Sequence, residues 1–404
     1  MYKKTHKAFI VLLIFLLLSN NIAFATVGIE EEVSAYLIGD YDTGEIFEEY
    51  NIYKPVEIAS ITKLMTYTLV MDAVNRRDIS LEDKVLIEKD VVEVKGSSLN
   101  LEVGDILTVE ELLRASIVIS ANDATYALAK YVAGNEDAFV DSMNEKAKKL
   151  NLESAVFFNS TGLPKGDFQN TMSPVDIFNL SRYIIANYPE LLTLTSIPYL
   201  EMSNGEKERS TNPLLGEIKG VDGLKTGFTN KAGYCLVSTV KKHGATNGDE
   251  DFRLIAIAMG TKSEDKRKEV SGKLVEYALD NYSKRNIVNT SMATDIIHLP
   301  KAKKKDIEVY PVNNFSAIVK NSDNIEIDVH IDEKLKLPLR PDEKVGTVVI
   351  SKNGEFLEDI DLVVHEKVKK ENILIRIFKS IMSWGKIFPK NVLLTKKVLY
   401  CKIY

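Results

Sequence analysis

The chain has 404 residues, 45% of them hydrophobic and 27% charged, with two Cys, five His and a formal net charge of −6. That is globular composition, long enough for two or three domains with sizeable cores. The charge is uneven: residues 1–25 carry three Lys and no acid, residues 26–366 carry 39 basic against 57 acidic groups, and residues 367–404 carry ten basic against one. A body this acidic argues against nucleic acid as a partner, because phosphates need a basic face.

The chain opens on Lys3, Lys4 and Lys7, continues through an apolar run from Ala8 to Leu18, and reaches Ala23-Phe24-Ala25. A charged flank, a short apolar run and a small-x-small site in that order read as an export signal cleaved after Ala25. Val33 to Tyr50 then reads as strand, turn at Asp42-Thr43-Gly44, strand. After Pro55, a helix is predicted over Ser60 to Val74, with Leu64, Thr68 and Met71 at helical spacing. Further helices are predicted at Val109 to Ile117, Asn122 to Val132 and Glu136 to Leu150, and another starts at Ser173-Pro174, an N-cap followed by Pro.

Beyond Asp222-Gly223 the period shortens. Tyr234 to Val240 and Phe252 to Met259 read as adjacent antiparallel strands, and Glu264 to Tyr282 as a helix closing the unit. Strands at both ends of the segment with helices between them imply one layered α/β domain, residues 26–284. From Ile287 onward come short strand-like stretches, Ile307 to Tyr310, Phe315 to Val319, Ile325 to Ile331, Val345 to Ile350 and Phe356 to Val364, which read as an all-β domain over 285–366.

Residues 367–404 form a basic tail. Leu374, Ile377, Phe378, Ile381, Trp384 and Phe388 fall on one helical face and Arg376, Lys379, Ser383 and Lys386 on the other, the pattern of a helix lying in a membrane interface. Spanning is disfavoured: 18 residues reach only about 27 Å against a hydrocarbon core of about 30 Å. The cations at its centre would add roughly 2.5–3.5 kcal/mol each.

Cys235 and Cys401 occupy unlike contexts and read as unpaired. His243, His298, His330 and His365 are scattered without zinc spacing, so a zinc hydrolase or a Ser-His-Asp mechanism is disfavoured, and no metal or cofactor is implied. A serine can still be activated by a lysine whose pKa is lowered by burial and a neighbouring cation. Ser60-Ile61-Thr62-Lys63 puts both groups on one helical face, and a helix start offers the Ser60 N–H to a developing oxyanion. Taken alone the pattern is weak, since Ser-x-x-Lys also occurs at Ser238, Ser263 and Ser383. Two further motifs accompany it. Ser120-Ala121-Asn122 lies between helices, where a loop can point a hydroxyl and an amide into a cleft or merely cap a helix. Lys225-Thr226-Gly227 lies directly before a strand, where it can hold a carboxylate or simply turn.

Ser-x-x-Lys, Ser-x-Asn and Lys-Thr-Gly in this order belong to the serine β-lactamases and penicillin-binding proteins. With Ala35-Tyr36-Leu37-Ile38, Asp42-Thr43-Gly44, Ser120-Ala121-Asn122-Asp123-Ala124, Asn159-Ser160-Thr161-Gly162-Leu163, Val221 to Gly227 and Lys231-Ala232-Gly233-Tyr234, the chain resembles the D-alanyl-D-alanine carboxypeptidases of the low-molecular-mass penicillin-binding class over nearly its whole mature length. The resemblance implies a β-lactamase-like peptidase fold of antiparallel sheet and helical cluster, a following all-β domain and a C-terminal amphipathic anchor. It implies that Ser60 is acylated by a peptidoglycan stem peptide, with release of terminal D-alanine, and by β-lactam antibiotics. Lys63 is then the base, Ser120 the proton relay, Asn122 the partner of the peptide amide, and Lys225 and Thr226 the carboxylate site. The Ser60 and Phe228 N–H groups form the oxyanion hole. Arg267 stands where the family often has an arginine near the carboxylate; a solvated helix Arg fits the sequence equally. There is no Glu-x-x-Leu-Asn segment between Asn122 and Lys225, so penicillin is expected to leave slowly. The rivals are a β-lactamase and a non-catalytic peptidoglycan-binding scaffold.

Overall fold

A computed structural model describes residues 27–202, 205–246 and 248–374. The predicted export signal, Cys401 and all but the first residues of the predicted amphipathic tail lie outside the described residues. The chain divides into two compact units between Ser283 and Lys284.

The first unit is built on a five-stranded antiparallel sheet. Its strands are β1 (Ala35–Asp40), β2 (Ile46–Tyr50), β3 (Val221–Thr229), β4 (Gly233–Lys242) and β5 (Phe252–Thr261), in the order β2-β1-β5-β4-β3. The β1–β2 hairpin forms where the sequence predicts it, with Asp40 accepting from the Thr43 backbone N–H at 2.6 Å. Alternation decides the faces. Leu37, Val237, Ile255 and Ile257 belong to the main apolar cluster, which the helices complete. Ile38, Leu236, Ala256 and Ala258, of opposite parity, are also buried. They serve the other face, on which helix Glu264–Asn281 packs through Val270, Leu274, Val275 and Ala278.

Five further helices matter to the site: α1 (Lys63–Asn75), α2 (Val109–Val118), α3 (Asn122–Ala133), α4 (Glu136–Lys149) and α5 (Pro174–Asn187). Helix Glu264–Asn281 is then α6. Their starts follow capping chemistry. Thr108 and Glu111 exchange the reciprocal bonds of a capping box ahead of α2. Asn135 caps α4 and Ser173 caps α5 ahead of Pro174. Helix α3 ends on Gly134 at φ 81°. Helix α1 differs from the rest, because Leu64, Met65, Tyr67, Val70, Met71 and Ala73 bury nearly its whole circumference. A helix apolar all round belongs at the centre of a core.

The second unit is an antiparallel β-structure. Strands β6 (Asp295–His298), β7 (Asp306–Pro311), β9 (Ile325–Ile331), β10 (Lys344–Lys352) and β11 (Glu355–Val363) form one sheet in the order β6-β7-β11-β10-β9, and β8 is Phe315–Lys320. Its core is Val309, Leu339, Val345, Val348, Ile350, Ile360 and Leu362. Strand β6 has no counterpart in the sequence reading; its four residues are too few to show alternation.

Candidate active site

Ser60 lies in a 3-10 turn, Ala59–Thr62, that feeds directly into α1, whose first residue is Lys63. The α-helix therefore starts three residues later than the sequence predicts. Ala59 adopts a left-handed φ of 46°, and the residues from Ala59 to Thr62 wind as the tighter 3-10 turn that often leads into an α-helix. Two glycines press on this turn. A Cβ at Gly162 would stand 1.9 Å from the Ala59 carbonyl oxygen, and one at Gly227 would stand 2.8 Å from Ile58 O and 3.3 Å from the Ser60 nitrogen. Gly227 sits on β3, the edge strand of the sheet, so the outer rim of that edge faces the Ser60 backbone.

Lys63 is fully buried and its Nζ has three oxygen neighbours: Ser60 Oγ at 2.8 Å, Asn122 Oδ1 at 2.7 Å and the Thr161 carbonyl at 3.0 Å. Burial, and secondarily the charge of Lys225, hold its pKa well below the ordinary lysine value, with Asp123 opposing. A neutral amine has two N–H groups and one lone pair. The Asn122 and Thr161 oxygens are pure acceptors and take both hydrogens. A neutral Lys63 so bonded would keep its lone pair for the third neighbour, Ser60 Oγ. The two other Ser-x-x-Lys matches among the described residues do nothing of the kind. Ser263 caps α6, accepting from the Lys266 N–H at 3.1 Å, and Lys241 pairs with Asp251 at 3.3 Å on strand β4.

Ser120 and Asn122 flank the start of α3, yet neither caps it: the N-cap is Ala121, with no side-chain bond. Ser120 is 5% exposed, in a left-handed conformation with φ 63°. Its hydroxyl makes no hydrogen bond among the described residues, so the structure does not tie it to Ser60 or Lys63. Asn122 accepts from Lys63 and donates through Nδ2 to the Lys95 carbonyl at 2.8 Å.

Lys225-Thr226-Gly227 lies inside β3 rather than ahead of a strand. Register pairs Lys225 with Val237, Thr226 with Leu236 and Gly227 with Cys235. Gly223 and Gly227 give this strand a poor β signature, which is why the sequence reading starts the sheet later. Lys225 is 1% exposed, and its pKa falls to about 7 through burial and the nearby Arg267 charge. The Thr226 hydroxyl donates to Thr211 Oγ1 at 2.7 Å. Arg267, on α6, is 5% exposed and so is not a solvated helix arginine. Its Nη2 donates to Glu264 Oε1 at 2.8 Å, while its Nε is buried with no partner among the described residues. Two buried cations with an unused donor form a place where an anion lowers the energy. Phe228 is half exposed and stacks on Tyr234 with ring centres 4.1 Å apart.

Three contributors carry no role in the sequence reading. Thr161 acts through its carbonyl, which any residue type supplies. Asp123 accepts from Ser98 Oγ at 2.6 Å and from the Leu99 N–H at 2.9 Å, pinning the 98–101 loop beside Asn122. Asn170 donates to Thr62 Oγ1 and to the Asn159 carbonyl, both at 2.9 Å, locking the 159–162 turn to the Ser60 turn. Burial of polar Asn159, Ser160, Thr161 and Asn170 is the common trait, and burial is not legible one residue at a time. Cys235, behind the site, is buried, and its thiol is pushed up to about 11, so it is inert.

The D-alanyl-D-alanine carboxypeptidase family matches residues 23–263, and the C-terminal domain of penicillin-binding protein 5 matches residues 272–370. The chain is 31% identical over 371 residues to the D-alanyl-D-alanine carboxypeptidase DacD of Salmonella typhimurium, covering 89% of this chain and 93% of the relative. It is 29% identical over 363 residues to the carboxypeptidase DacF of Bacillus subtilis, covering 88% and 90%. Among solved structures, the carboxypeptidase DacD of Francisella tularensis superposes with a TM-score of 0.66 at 26% identity, over 87% of this chain and 97% of that one. Penicillin-binding protein D2 of Listeria monocytogenes in its ampicillin-bound form gives 0.55 at 34% identity, over 61% and 96%. A matching family over most of the peptidase unit, and relatives aligned nearly end to end, show that the chain belongs to the D-alanyl-D-alanine carboxypeptidases, serine peptidases of the penicillin-binding class.

Proposed function

We propose that Ser60 attacks the carbonyl of the penultimate D-alanine in a peptidoglycan stem peptide. Lys63 takes the hydroxyl proton, and the C–N bond to terminal D-alanine breaks. The leaving amine is protonated through Ser120, and water hydrolyses the acyl-Ser60 ester. The triple contact of Lys63 carries this reading, because a neutral amine that gives its two hydrogens to Asn122 and Thr161 would direct its lone pair at Ser60. Lys225, Thr226 and Arg267 bind the terminal carboxylate, Asn122 bonds the peptide amide, and the Ser60 and Phe228 N–H groups receive the oxyanion. Gly227 keeps the strand close enough for the substrate backbone. β-Lactams acylate the same serine.

Residues 26–284 act as the peptidase and 285–366 as its β-domain. Residues 1–25 direct export, and 367–404 hold the chain on the outer face of the cytoplasmic membrane as a peripheral anchor. Incubation with a stem pentapeptide ending in D-Ala-D-Ala tests the chemistry: free D-alanine is expected and should be abolished in Ser60→Ala and Lys63→Ala. Absence of release from the folded native chain would refute the assignment, and rapid multiple turnover of penicillin would favour a β-lactamase.

A further inference from the structure

One end of the second unit gathers basic charge, against the net acidic balance of residues 26–366. The segments 301–305 and 367–370 run side by side, joined by the Ala302–Lys370 bridge and by the Lys303 N–H donating to the Lys369 carbonyl at 2.8 Å. Lys301, Lys303, Lys304, Lys305, Lys367, Lys369 and Lys370 are all exposed there. Lys303, Lys304, Lys367 and Lys369 rim a cleft of about 560 Å³, floored by Ile307, Val364 and Val368. Glu308 and Glu366 also line it, and Tyr310 stacks on His365 with ring centres 3.8 Å apart. Glu308 accepts from the Tyr310 hydroxyl at 2.7 Å. None of the four rim lysines enters an ion pair among the described residues.

The position of this cluster along the chain identifies what it faces. Leu374, the last described residue, lies five positions beyond Lys369, a reach of at most about 18 Å. The remaining residues, 375–404, carry seven basic groups and no acidic one. A chain whose end lies on an anionic surface brings Lys367 and Lys369 within a few residues of that surface. We propose that the lysine-rimmed cleft is a second membrane contact, docking the β-domain onto the phosphates of anionic lipid headgroups. This deepens the membrane reading of the tail while standing on separate residues. The cations act as point charges on the headgroup layer, each contributing most within a Debye length of it.

Flotation of the mature chain with phosphatidylglycerol–phosphatidylcholine vesicles tests the proposal. The variant K303Q/K304Q/K367Q/K369Q should partition up to about a thousandfold more weakly than the native chain, as expected from about 1 kcal/mol per lysine, with the gap closing in high salt. D-Alanine release from a soluble pentapeptide should be unchanged, which verifies the fold. Native-level binding by the quadruple variant would overturn the proposal. So would unchanged vesicle binding with loss of retention on purified cell wall, which would assign the lysines to wall polymer. A chain ending at Leu374 separates the two readings. If it binds vesicles as the native chain does, the tail is not the anchor; if it retains weaker binding that the four substitutions abolish, the cleft is confirmed.

Discussion

The Asp123 carboxylate receives the Ser98 hydroxyl at 2.6 Å while its charge opposes the depression of the Lys63 pKa. One side chain therefore restrains the loop beside Asn122 and offsets part of the depression of the Lys63 pKa. Asp123→Asn removes the negative charge and lowers the Lys63 pKa further. The acid limb of the kcat/KM profile, where Lys63 becomes protonated, should move to lower pH. The plateau should fall about tenfold as the loop loosens. An acid limb that stays in place or moves up would show that Asp123 acts through the loop alone.

Lys225 predicts opposite trends for activity and stability. Its folded pKa of about 7 lies below that of the unfolded chain, about 10.4. The charged form is therefore disfavoured by folding, a cost fully present below about pH 7 and absent above the unfolded value. Lys225→Met should raise Tm at about pH 6, and the gain should shrink as pH rises. It should also abolish carboxylate binding, whereas in the native chain kcat/KM should decline as pH rises through about 7. Thermal scans across pH beside the activity profile check both.

Gly162 packs its α-carbon against the Ala59 carbonyl at φ 88°. Gly162→Ala should cost at least about 1 kcal/mol from the left-handed backbone alone, with a larger loss of activity because the displaced group is the Ser60 turn. Urea unfolding and D-alanine release measure the two effects. A variant that loses stability but keeps full activity would show that the turn tolerates the shift.

Two serines that share a motif should separate cleanly. Ser263→Ala removes an N-cap and should cost about 1 kcal/mol without changing kcat/KM. Ser60→Ala should leave Tm near native and reduce kcat/KM by at least about a thousandfold.

Ampicillin should form a persistent adduct on the peptide containing Ser60, read by intact mass and digestion. The stretch between Asn122 and Lys225 holds no Glu-x-x-Leu-Asn segment, the element whose Glu directs the deacylating water in class A β-lactamases. An adduct that disappears within seconds would contradict this.

The helices are legible in the sequence because their signals are local. Thr108 with Glu111, Asn135, and Ser173 with Pro174 mark helix starts by chemistry contained in four residues. Strand β3 is not legible in the same way. Asp222, Gly223 and Gly227 disfavour a strand locally, and only pairing with β4 and close approach to Ser60 make it one. The site divides along the same line. Ser60, Lys63, Asn122 and Lys225 declare themselves by side-chain type and order. The Thr161 carbonyl, the Asn170 tether and the burial of Arg267 depend on residues far apart in sequence. The left-handed Ala59 shows the limit most sharply, since alanine carries no mark of a position usually given to glycine.

Helix α1 bears Lys63 on an element with almost no solvent face. In the language of hydrogen exchange, its amides should open only with the whole unit, so no partial fluctuation hydrates Lys63 while the rest stays folded. The depressed pKa then persists as long as the fold does. Activity should be lost on heating at the global transition rather than ahead of it, a coincidence that follows from placing Lys63 at the centre of the core.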